Sequence, residues 1–116
     1  MKHLKIFDSY NSNTPQVGDY VICDEIADSS DDPLYKKTVE FELNNIGQII
    51  KYIPSANYPY IVQYENPPDE LSEFFSHGII LYNISNCRKM ISNEIIYWSK
   101  DKEYLETIIK TMKFNI

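Results

Sequence analysis

The sequence predicts a mainly β domain of about five short strands, with a short helix after the third main strand and an amphipathic helix at the C-terminus. Three observations predict it. Short apolar runs over 17–25, 46–53 and 58–65 carry the β-branched and aromatic residues that suit strands. Gly18-Asp19, Pro54 to Asn57 and Asn66-Pro67-Pro68 punctuate those runs as turns. Tyr104, Leu105, Ile108, Ile109 and Met112 then recur at the spacing of a single helical stripe.

Taken in order, residues 1–16 read as a lead-in ending in a polar tail. The first strand places Tyr20 and Ile22 on one face and Val21 and Cys23 on the other. Both sets are apolar, so both faces should be covered. Residues 27–33 form an acidic loop of Asp, Ser and Pro. Thr38 to Leu43 alternates polar and apolar as a strand would, with a short helical turn as the competing reading. Gly47 marks a bend or a close backbone approach in the second main strand. In the third, Tyr58, Tyr60, Val62 and Tyr64 share a face. Two prolines and acids in the first turn predict a helix near 69–75, with Leu71, Phe74 and Phe75 on one side. Short strands are expected over 79–82, 88–91 and 94–98. Ser99 is the expected N-cap of the last helix, over 99–114, which Lys110 and Lys113 close as the helix dipole favours. The whole is one domain, with a barrel over 17–98.

Composition narrows the function. The net charge of −6 argues against a general nucleic-acid binder, which needs a basic footprint. The charge is uneven: residues 1–85 hold five Lys against thirteen Asp or Glu. No apolar run approaches the ~18 residues of a membrane span, and the start of the chain does not read as a secretory signal. Cys23 and Cys87 read as buried free thiols of a reducing, cytoplasmic environment.

Chemical motifs are sparse. His3 and His77 are the only histidines and no cysteines pair at short spacing, so no metal site, catalytic residue or cofactor is expected. The ten tyrosines are the best lead. Tyr52, Tyr58, Tyr60, Tyr64 and Trp98 come from strands that would be neighbours, and they offer an aromatic rim for a proline-rich peptide or an alkylated ammonium. Asp19 or Glu65 would supply the acid of such a cage. A second candidate surface is acidic: Asp28, Asp31 and Asp32 in the loop, with Asp69, Glu70 and Glu73 around the short helix.

Gly18-Asp19-Tyr20-Val21, Ile46-Gly47-Gln48-Ile49 and Tyr60-Ile61-Val62-Gln63-Tyr64 together resemble a KOW or Tudor-type SH3-like barrel, over residues 17–65. Tyr64-Glu65-Asn66-Pro67-Pro68 and Glu94-Ile95-Ile96-Tyr97-Trp98-Ser99-Lys100, followed by Leu105-Glu106, are similar to short proteins of phages and large DNA viruses. The resemblance implies a fold and brings no activity with it. The expected function is a non-enzymatic module that binds a protein or peptide, of a viral accessory kind acting in the host cytoplasm. An open strand edge would also let two copies pair. Two other readings stand beside it. The acidic segments 24–32 and 65–73 could imitate nucleic acid and block a basic channel. Alternatively, His77, Arg88 and carboxylates could converge on a pocket for a small ligand or nucleotide, as in a small enzyme.

Overall fold

The computed structural model describes residues 14–25, 32–75 and 85–114. Their elements run β1 (Tyr20–Cys23), α1 (Pro33–Asn44), β2 (Gly47–Tyr52), β3 (Tyr60–Gln63), α2 (Ser72–Phe75), β4 (Cys87–Met90), β5 (Ile95–Ser99) and α3 (Lys102–Phe114). Single 3-10 turns, Asp69–Leu71 and Ser92–Glu94, lead into α2 and β5. The expected strand over 79–82 and most of the lead-in lie outside the described residues.

The five strands form one antiparallel sheet in the order β4-β3-β2-β1-β5. It is not a closed barrel, because β4 and β5 are both edges. It is nevertheless curled. At about 4.8 Å per neighbouring pair, the two edges of a flat sheet would stand about 19 Å apart. Residues 91–94 join those edges, and three of them are in the tight 3-10 turn. Such a link reaches only about 13 Å. Bulges between Ile22 and Cys23 and between Ile49 and Lys51 supply local bending.

Both faces of β1 are covered, as its double apolar pattern implies. Val21 and Cys23 join Ile49, Tyr60, Val62, Tyr64, Met90 and Ile95 in the main core, which Leu71 and Phe75 close. Ile22 faces the other way, into the Leu105, Ile108 and Ile109 stripe of α3. Phe41, Tyr64 and Phe75 meet edge to face with centroids 5.5 to 5.7 Å apart, the favourable geometry for aromatic rings. Gly47 is the close approach: a Cβ there would lie 2.5 Å from Val62 Cγ1 and 2.9 Å from the Tyr64 ring.

Three local expectations are corrected. Residues 33–44 are a helix, not a strand. Asp32 caps it by accepting the Leu34 N–H at 2.9 Å, and Pro33 sits in the first turn where its missing N–H costs nothing. The buried positions are Thr38 and Glu42, with Leu34 and Phe41 beside them, whereas Val39 and Leu43 are only half-buried. Thr38 is satisfied internally, donating to Leu34 O at 2.8 Å. Asn44 and Asn45 end the helix, donating to Glu40 O and Phe41 O at 2.8 and 2.9 Å and so occupying last-turn carbonyls. Ser99 is the buried last residue of β5, not the cap of α3. It accepts the Asp101 N–H, and Asp101 in turn accepts that of Glu103, so Asp101 opens the helix. Tyr58 precedes β3, in the loop of the β2–β3 hairpin.

Candidate functional site

The five rim aromatics fall in three places. Tyr52 and Tyr60 face each other across the β2–β3 ladder, with ring centroids 4.9 Å apart and planes tilted by 44°. The incoming chain crosses beside them. Tyr60 OH is 3.5 Å from Pro15 O, at the limit of a hydrogen bond. Together Thr14, Pro15, Gln16, Val17, Tyr52 and Tyr60 line a groove of about 390 Å³. Tyr60 is the buried wall, and burial with the neighbouring Tyr52 raises its phenol above the ordinary value. Tyr52 and Val17 are open, at 47% and 52% exposure, and Tyr58 on the adjoining hairpin loop is 50% exposed. These three are the exposed large hydrophobics among the described residues.

Tyr64 and Trp98 belong elsewhere. Tyr64 is buried under Phe41 and Phe75, and Trp98 packs half-buried against the same core. Neither acid completes a cage at the groove. Asp19 is buried, pairs with Lys100 Nζ at 2.8 Å and accepts the Gln16 N–H at 2.8 Å. That contact shapes the turn at Gly18, whose φ of +96 favours glycine. Glu65 is 84% exposed and lies 3.4 Å from Lys102.

The acidic surface is divided too. Asp28 and Asp31 lie outside the described residues, and Asp32 is spent on the α1 cap. Asp69, Glu70 and Glu73 are exposed, with Glu70 3.6 Å from Lys37. A polar groove of about 290 Å³ opens near Glu65, lined by Tyr20, Gln48, Gln63, Asn66, Asn86 and Lys102 among others. Asn66 and Asn86 both take left-handed backbone angles there, φ 49 and 61, which Asn tolerates better than most residues.

No family model, curated protein or solved structure matches the chain. The geometry alone therefore carries the functional reading.

One cluster was not assembled from the sequence. Arg88, the sole arginine, holds Glu25 through two bonds, Nε to Oε2 at 2.8 Å and Nη2 to Oε1 at 2.5 Å. Its Nη1 donates to Phe74 O at 2.9 Å, and the guanidinium lies over the Phe74 ring. Glu42 reaches it from α1, with Oε2 3.4 Å from Nε. Burial pushes the Glu42 carboxyl up to about 10, helped by the neighbouring Glu25. Burial also pushes Glu25 up, but the hydrogen bonds from Glu42 and Arg88 outweigh it and hold that carboxyl below its ordinary value. Arg88 is only half-buried, yet each of its three side-chain nitrogens donates to protein. The cluster is built as an internal tie, and His77 lies outside the described residues. The signal was present as a lone arginine, but Glu42 was hidden by the strand-like alternation around it.

Among the described residues no group of three or more His, Cys, Asp or Glu could hold a metal ion. Burial raises the Cys23 thiol and pushes that of Cys87 up to about 11, which disfavours the reactive thiolate in both. No helix among the described residues is long and apolar enough to cross a membrane.

Proposed function

We propose that this chain is a peptide-interaction module of the SH3-like kind, docking an extended, proline-containing segment of a partner protein. The barrel reading is supported by the strand order, with β1 between β2 and β5, and by the curl that the short 3-10 link imposes. The observation that carries the binding reading is the grouping of exposed apolar side chains. Val17 and Tyr52 line one groove and Tyr58 stands on the adjoining loop, while the other large rings among the described residues are buried or half-buried. Tilted tyrosines beside a proline offer flat apolar walls at little cost in side-chain entropy. Preformed polyproline segments use such aromatic-lined grooves. A net charge of −6 favours a partner segment flanked by Lys or Arg. The site of action is the cytoplasm, where Cys23 and Cys87 stay free.

The acidic-mimic reading has less support. Asp32 is bound to its own helix, and Glu65 and Glu70 each have a lysine nearby.

The test is a chemical-shift titration of the protein with proline-rich peptides bearing basic or neutral flanks. Shifts should gather at Val17, Tyr52, Tyr58 and Tyr60, and Tyr52→Ala or Tyr58→Ala should weaken binding about tenfold, the scale of an aromatic contact. Shifts gathered elsewhere, or saturable binding that survives both substitutions, would overturn the reading.

A further inference from the structure

Glu42 has no exposed surface, and neither of its carboxylate oxygens accepts a hydrogen bond among the described residues. An ionised carboxylate left that way would bear a large desolvation cost. Arg88 relieves it only in part, with Nε 3.4 Å from Glu42 Oε2. The single guanidinium of Arg88 is already engaged on both oxygens of Glu25. Among the described residues, the other polar groups facing Glu42 and Glu25 are Cys23 from β1, Tyr35 from α1, Tyr64 after β3 and Glu94 from the turn before β5. None of these is a cation. Two carboxylates and one guanidinium would leave a net negative charge inside the fold. One proton removes that charge and turns Glu42 into a donor toward Glu25.

We propose that Glu42 keeps its proton in the folded protein at neutral pH and donates it to Glu25, so that docking α1 on the sheet takes up one proton. The three groups then act as a neutral clasp. Glu25 comes from the segment after β1, Arg88 from β4 and Glu42 from α1, so the clasp joins three parts of the fold.

The sign follows from the two states. Unfolded, Glu42 is an ordinary acid with a value near 4.5; folded, it releases its proton only near 10. Across that window the folded state holds one proton more, so stability falls as pH rises. Below the window Glu25 acts oppositely. Its carboxyl is held low, so its stabilisation is lost as pH falls through its folded value. The two together place the maximum of the clasp's own contribution to stability on the acid side of neutrality.

The direct experiment is a side-chain carboxyl carbon titration of the glutamate-labelled full chain from pH 3 to pH 11. One glutamate signal should keep the position of a protonated acid at pH 7, and Glu42→Gln should remove that signal. Urea unfolding at pH 5 to pH 8 supplies the second readout. The folded-to-unfolded ratio of the wild type should fall up to tenfold per pH unit relative to Glu42→Gln, and the comparison cancels contributions that the two proteins share. Every glutamate ionised at pH 7 would overturn the proposal, as would parallel pH profiles for the two proteins. Should Glu42→Gln fail to fold, the wild-type titration decides alone.

Discussion

Tyr60 and Tyr64 stand four residues apart and both point into the main core, yet their surroundings differ. At the Tyr60 end the neighbours are Met90 on β4, an exposed Tyr52 and the incoming chain at Pro15. At the Tyr64 end, α1 and α2 close over the ring, and Cys23, Glu25, Glu42 and Arg88 gather beyond it. The first region leaves apolar surface open and holds little polar chemistry. The second encloses its ionisable cluster, and the groove beside it is lined mostly by polar side chains. Clustered ionisable groups thus mark the structural end of this molecule, and plain aromatic exposure marks the end where we propose that a partner docks.

Breaking the enclosed end should have the largest effects. Arg88→Met removes the cation that pairs with two carboxyls and should cost about 3–5 kcal/mol in denaturant unfolding, because a buried partner is left unpaired. Gly47→Val forces side-chain atoms into Val62 and the Tyr64 ring and should cost at least about 1–3 kcal/mol, the scale of overpacking, read as a fall in melting temperature. The pH effect comes next. Between pH 5 and pH 8 the wild type should lose up to about 1.4 kcal/mol per pH unit relative to Glu42→Gln, measured by urea midpoints. Smallest is the open end, where Tyr52→Ala or Tyr58→Ala should change stability by no more than about 0.5–1 kcal/mol. A stability loss at Tyr52 as large as that at Arg88 would erase the contrast between the two ends.

The described strands and α3 were legible because their periodicities are clean. The split of β1 into two covered faces followed from Tyr20, Val21, Ile22 and Cys23 all being apolar. The close approach at Gly47 was legible for the same local reason. Helix α1 was not, because its buried stripe uses Thr38 and Glu42 while Val39 and Leu43 stay half-exposed. Hydropathy scores that stripe as polar. Only the tertiary pairing with Arg88, far along the chain, makes Glu42 an inward residue. The placement of the rim aromatics was half legible. Alternation puts Tyr60 and Tyr64 on one face correctly, but which end the helices cover depends on packing that no local pattern encodes.

The central claim is that Tyr52 serves binding and not folding. Its most direct test is calorimetric titration of a basic-flanked, proline-rich peptide into folded Tyr52→Ala beside the wild type, with the melting temperature recorded on the same samples. Affinity reduced about tenfold at an unchanged melting temperature is the expected result. Unchanged affinity with a melting temperature lowered by several degrees would contradict it.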